Sequence, residues 1–149
     1  MIEHEIRFGR AEDLPGVLAL YRHLHPQDPT PDPMAAEKAW SALLSSDTTA
    51  VVVADAGSLL VASCTLAIIP NLSRGARPYG VIENVVTHAD HRRRGLGRAV
   101  LSAAVERAWS MNCYKVMLAT GAREETTLAF YEAAGFLRGG KTYFEVRRS

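Results

Sequence analysis

Apolar residues change their spacing along this chain, and each change predicts an element. Glu5 to Phe8 alternates and reads as a first strand. Glu12-Asp13-Leu14-Pro15 puts acids and a proline where a helix begins. Leu14, Val17, Leu18, Tyr21 and Leu24 follow at helical spacing. The run from His25 to Pro33 holds four prolines and breaks that helix into a stiff, irregular loop. Ala35 to Leu44 reads as a second helix. Ala50 to Ala54 is a buried strand, Asp55 to Ser58 a turn, and Leu59 to Ile69 the other arm of a hairpin. After a polar, basic loop from Pro70 to Pro78 comes the strand Tyr79–Thr87. A long helix from Gly95 to about Met111 carries Val100, Ala104 and Ala108 in one column and Leu101 and Val105 in another, a face made for a sheet. Tyr114 to Ala119 reads as a strand, Glu124 to Ala134 as a helix closed by Gly135, and Thr142 to Arg147 as a last strand.

The order βαα-ββ-β-α-β-α-β predicts an α/β fold, a mixed sheet with helices on its faces. With 149 residues, no repeat and no linker, a single domain over 1–149 is expected. A hydrophobic content of 48% supplies an ordinary core, and 22% charged residues argues against disorder. The net charge is +1, so Arg92–Arg94 is a local feature and no nucleic-acid partner is expected. No apolar run approaches the ~20 residues that span a bilayer. The N-terminus lacks a signal-peptide core, so no membrane partner and a cytoplasmic location are expected. Cys64 and Cys113 lie in or beside apolar runs and read as reduced, packed thiols.

The chemistry concentrates where the strand Val81–Thr87 feeds Arg92-Arg93-Arg94-Gly95-Leu96-Gly97-Arg98 and a helix. A helix start offers unpaired N–H groups and positive dipole potential, glycines let a ligand approach the backbone, and arginines add charge-assisted hydrogen bonds. This is a phosphate cradle. Two other glycine patterns compete with it. Gly135 to Thr142 satisfies G-x-x-x-x-G-K-[ST] letter for letter, but a helix precedes it and no helix can follow, so it is no P-loop. Gly95-Leu96-Gly97-Arg98-Ala99-Val100 has valine at the third glycine of a dinucleotide fingerprint and lacks the N-terminal βαβ context.

Taken whole, Arg92-x-x-Gly95-x-Gly97 after Ile82–Thr87, with Ala129-Phe130-Tyr131-Glu132-Ala133-Ala134-Gly135-Phe136 about one helix and one strand later, resembles the GNAT superfamily of acyl-CoA-dependent N-acyltransferases. The resemblance covers nearly the whole chain. It implies a mostly antiparallel sheet that splays into a V between the strands near 79–87 and 114–119, with acetyl-CoA as co-substrate in the gap. Backbone groups of Val85, Val86 and Thr87 would line the pantetheine and the acetyl carbonyl, and a Val85 or Val86 N–H would serve as oxyanion donor. N–H groups from Arg93 through Arg94, Gly95, Leu96, Gly97, Arg98 and Ala99 would cradle the pyrophosphate, with the Arg92 or Arg98 side chain reaching a phosphate. Tyr131 matches the family's usual proton donor to the coenzyme A sulfur.

Glu83 is an acid in an apolar strand, which is costly unless it is paired or used. It could take the amine proton directly or through water, or only bind and orient the amine. Asn84 stands where some relatives place Asp. His88 and His91 have His-x-x-His spacing in a loop without a third ligand, so no metal is expected. His23 and His25 end the first helix, where the family's substrate loop begins, which makes His25 a candidate acceptor contact.

Asn112 to Leu118 and the short tail after Phe136 are similar to glucosamine-6-phosphate N-acetyltransferases within the superfamily. That implies an amino-sugar phosphate as acceptor, a homodimer through the terminal strand, and Arg147 as a phosphate contact. Thr127 departs from the Asn those enzymes tend to carry. Amino acids, polyamines, amine drugs and protein amines stay open as acceptors, as does a non-catalytic acetyl-CoA sensor.

Overall fold

The computed structural model describes residues 4–148. Five strands form one sheet in the order β1-β2-β3-β4-β5: β1 (Glu5–Phe8), β2 (Thr49–Asp55), β3 (Leu60–Ile69), β4 (Tyr79–Thr87) and β5 (Val116–Leu118). The first three pairings are antiparallel and β4–β5 is parallel. The helices are α1 (Leu14–Tyr21), α2 (Pro33–Ser45), a distorted single turn α3 (Ser73–Ala76), α4 (Leu96–Ser110) and α5 (Glu125–Ala133).

Strand alternation sorts the core into two layers. Val52 and Ala54 of β2 pack with Cys64, Leu66, Ile82 and the α4 residues Val100, Leu101, Ala104 and Ala108. Val51 and Val53 face the other way, onto Val17 of α1 and Trp40 of α2. The α4 columns expected from spacing are buried, apart from half-buried Val105. Trp40 also donates its indole N–H to the Arg10 carbonyl at 3.1 Å. At the far edge, Arg7 clamps Asp13 (2.7 Å) and Asp55 (2.9 Å), tying β1, β2 and the approach to α1 together.

Two expectations need correction. Pro33 does not belong to the helix-breaking loop. It opens α2 at a position where a missing N–H costs nothing, and the Asp32 carboxylate caps the helix by accepting from the Ala35 N–H at 3.0 Å. Thr142–Arg147 is not a strand of the sheet. It runs exposed, with Phe144 87% and Val146 97% accessible. A strand needs a ladder partner, and β5 offers only three residues, all already paired on one side to β4.

Candidate active site

The pairing of β4 changes partway along. Thr65 faces Glu83 and Ser63 faces Val86, so Cys64 alone stands against two residues, Asn84 and Val85. This is a β-bulge, and Asn84 takes it up with φ 54°. Asparagine tolerates the left-handed region better than any β-branched residue, and a lone Asn among Val and Ile is the sequence signal for it. On the opposite side of β4, the pairing with β5 ends at Ile82–Leu118. Beyond it Glu83 to Thr87 has no ladder partner on that side. The gap expected between these strands therefore opens at the bulge.

The loop after β4 makes a 3-10 turn at Ala89–His91, then passes through left-handed Arg93 (φ 63°) and Gly95 (φ 78°) into α4. The two glycines do different structural work. Gly95 supplies the left-handed N-cap and has open space around it. Gly97 is buried, and a Cβ there would stand 3.0 Å from Phe130 Cζ and 3.1 Å from Thr87 Oγ1. It allows α4, α5 and the end of β4 to meet. The Ala99 N–H already donates to the Gly95 carbonyl at 3.0 Å, so the free donors of the helix start end at Arg98. Arg92, Arg93 and Arg98 are exposed and pair with no carboxylate among the described residues. The local field is therefore positive and unspent.

Helix α5 puts Phe130 and Tyr131 on the α4 side of the sheet, against the same core that half-buried Val85 joins. The Tyr131 ring meets Phe130 edge-on at 5.0 Å and Phe136 at 6.4 Å. Burial holds the Tyr131 phenol above its ordinary range, and the nearby Cys64 thiol adds to the effect. Cys64 lies across from the bulge, donates to the Val100 carbonyl at 3.4 Å, and is pushed by burial up to about 12. It is a packed thiol, as is buried Cys113.

Glu83 is exposed and shares a face with Thr65, whose hydroxyl lies 3.5 Å from the Tyr21 hydroxyl of α1. The C-terminal segment also comes near it. The Tyr143 phenol is raised by its hydrogen bond to Glu145 (3.1 Å), with a smaller push from Glu83 and an opposing one from Arg147. Helical spacing marked Tyr21 only as core, and Tyr143 was only a strand residue. Chain folding alone brings them to this face. His25 is exposed, with no side-chain partner among the described residues. Arg147 is engaged with Glu145 at 3.2 Å. The P-loop-like run after Gly135 opens no helix, and its Arg138 is bound to Glu125 and Glu132. Among the described residues no group of three or more His, Cys, Asp or Glu side chains is arranged to hold a metal ion.

Comparison with known proteins identifies the family. Residues 15–136 match the model of the acetyltransferase (GNAT) family. A glucosamine 6-phosphate N-acetyltransferase from Trypanosoma brucei brucei is 33% identical over 136 residues, which is 91% of this chain and 90% of the relative. One from Oryza sativa subsp. japonica is 35% identical over 125 residues, 82% of this chain and 73% of the relative. A solved putative acetyltransferase from Agrobacterium tumefaciens superposes with a TM-score of 0.90 at 44% identity, covering 97% of this chain and 99% of that one. The chain belongs to the GNAT acetyltransferase family and is an N-acetyltransferase.

Proposed function

We propose that this enzyme transfers an acetyl group from acetyl-CoA to the amine of an amino-sugar phosphate, by direct attack in a ternary complex. The observation that carries the reading is the coincidence of the Asn84–Val85 bulge, the unpaired edge of β4 beyond Ile82, and Tyr131 beside the residue facing the bulge.

Acetyl-CoA lies along that edge, its carbonyl oxygen taking an N–H from Val85 or Val86 and its pantetheine running past Thr87. Its pyrophosphate sits on the helix start from Arg93 to Arg98, with Arg92 or Arg98 adding a side-chain contact. The substrate amine attacks neutral, from the Glu83 face. Negative charge builds on the carbonyl oxygen and is met by the fixed backbone donor. As the C–S bond breaks, Tyr131 gives its proton to the leaving thiolate. Burial keeps that phenol protonated through the neutral range, so the donor is charged with its proton when needed. Glu83 accepts the amine proton directly or through water, or it orients the amine while solvent takes that proton.

The acceptor assignment leans on the named relatives in Trypanosoma and Oryza. Release of free thiol from acetyl-CoA is measured with glucosamine 6-phosphate, glucosamine, amino acids, polyamines, aminoglycosides and peptide amines. Turnover strongest with the phosphorylated sugar is expected. A better rate with an unphosphorylated amine removes the acceptor assignment, and coenzyme binding without any turnover favours a sensor.

The exposed Tyr143, Phe144 and Val146, and a sheet that ends at three-residue β5, support a homodimer in which this segment packs on a second copy. Light scattering behind size exclusion tests it, since truncation after Gly140 should leave monomer. Among the described residues no helix is long and apolar enough to cross a membrane, and a cytoplasmic location remains part of this proposal.

A further inference from the structure

Four histidines gather under the loop assigned to the coenzyme pyrophosphate. His23, from the end of α1, stacks on His88 with ring centroids 4.1 Å apart. His88 meets His91 edge-on at 5.2 Å, and His91 meets His4 at 6.3 Å. Three of the rings turn Nδ1 toward a group that can only donate. His88 Nδ1 accepts from the Asp90 N–H at 3.1 Å, capping the turn Ala89–His91. His23 Nδ1 accepts from the Ala89 N–H at 3.4 Å, the longer of the two bonds. His91 Nδ1 faces a guanidinium nitrogen of Arg94 at 3.5 Å. A backbone N–H or a guanidinium cannot become an acceptor, so each of these nitrogens must be unprotonated. His4 Nε2 is buried without a partner among the described residues, in the same cluster.

We propose that His23 and His88 are positioning residues for the coenzyme loop, holding it through two acceptor bonds that each need a neutral imidazole. The inference rests on the pyrophosphate assignment of the preceding section. Protonating either ring turns its acceptor into a donor facing an N–H and sets a cation against the neighbouring imidazole. The other groups acting on the cluster are Arg94 from the coenzyme loop and Asp90 from the turn, with His4 from the N-terminal side. Burial, then Arg94, His88 and His4, hold His91 below its ordinary value, and Asp90 opposes them only weakly. Each bond exists only with the neutral ring, so protonation of either imidazole weakens the support.

The test measures acetyl-CoA affinity by calorimetry from pH 5.5 to 8.0 on the full chain. The variants are His23→Asn with His88→Asn, His23→Leu with His88→Leu, and Arg92→Ala with Arg98→Ala. An Asn amide oxygen stands where Nδ1 does, accepts the same N–H and does not titrate in this range. Wild-type affinity is expected to fall about tenfold between pH 7.5 and 5.5, the worth of one or two hydrogen bonds. The Asn pair should bind like wild type at pH 7.5 and lose much less on acidification. The Leu pair should bind weakly at every pH. Any titration of the coenzyme's own phosphates is common to all forms and cancels in the comparison. A parallel fall in wild type and the Asn pair overturns the proposal. So does wild-type affinity that rises in acid, as bare attraction between imidazolium and phosphate would give. Arg92→Ala with Arg98→Ala separates the underlying reading: unchanged affinity with both cations removed takes the pyrophosphate off this loop, whatever the histidines do.

Discussion

Replacing Gly97 with alanine tests how the coenzyme loop is coupled to the proton donor. The new Cβ would stand 3.0 Å from Phe130 Cζ, 3.1 Å from Thr87 Oγ1 and 3.4 Å from Phe130 Cε1. Carbon pairs prefer ~3.5–4.0 Å, so Phe130 must move by several tenths of an ångström. Overpacking of this kind costs about 1–3 kcal/mol. Alanine in a helix recovers ~0.5–1 kcal/mol of backbone entropy. The steric cost wins because the Phe130 ring is wedged between the α4-side core and Tyr131, 5.0 Å away. A net loss near ~1 kcal/mol lowers Tm by about 2–4 °C in a domain of this size. The displaced ring also shifts Tyr131, so kcat falls as well. Calorimetry and thiol-release kinetics read both. Gly95→Ala is the comparison: its φ of 78° makes alanine strained by ~1 kcal/mol, but its Cβ meets nothing. Phe130→Leu should rescue Gly97→Ala and leave Gly95→Ala unrescued, with a coupling of at least ~0.5 kcal/mol. A Gly97→Ala protein at or above wild-type Tm, or strict additivity with Phe130→Leu, refutes the reasoning.

Tyr131→Phe should lower kcat by about a hundredfold while coenzyme affinity stays within about threefold, as expected for a lost proton donor; an unchanged rate removes the phenol from the mechanism. Arg7→Met leaves Asp13 and Asp55 clustered without their cation and should cost ~3–5 kcal/mol in urea unfolding. Arg7 hydrogen bonds hold both carboxyls below their ordinary range, so this stability is present above about pH 3.9 and is lost as pH falls through the lowered values. Wild type should therefore weaken in acid more steeply than the variant, and identical acid transitions would show that the clamp is not the cause.

The sequence was most readable where side-chain period alone decides structure. β4 runs from Tyr79 to Thr87 as expected, and Val100, Leu101, Ala104 and Ala108 of α4 are buried as the spacing required. Legibility failed where backbone conformation carries the information. The Asn84 bulge interrupts an apolar run that alternation reads as continuous, and Gly97 is needed for a contact with a residue 33 positions later. The Thr142–Arg147 error has another source. Its alternation is genuine, but a strand exists only with a partner edge, and nothing local to Tyr143 or Phe144 reports whether one is present. The acceptor side was obscure for a related reason. Glu83 is legible as a costly acid, whereas Tyr21 and Tyr143 come near its face only through the path of the chain.

The bulge can be removed without disturbing the packing around it, which gives the sharpest test of the proposed centre. Glu83 opposes Thr65 on the α1 face, Val85 packs on the α4 face, Val86 opposes Ser63, and Thr87 opposes Ala62. Without Asn84 these four residues alternate as a regular strand, with Cys64 opposite Val85. Deleting Asn84 therefore leaves every side chain on its present face and removes a left-handed residue. Stability should stay within about 1 kcal/mol of wild type, since no core contact is lost and some strain is relieved. What disappears is the local bend proposed to aim the Val85 or Val86 N–H into the gap beside β5. Loss of an oxyanion donor costs about 10²–10³ in kcat. The deletion variant should fold and turn over at that reduced rate, while Asn84→Gly keeps both the bulge and the activity. Asn84→Val, which resists a φ of 54°, should fall between them. A folded deletion variant with wild-type turnover would place the oxyanion donor elsewhere on the chain.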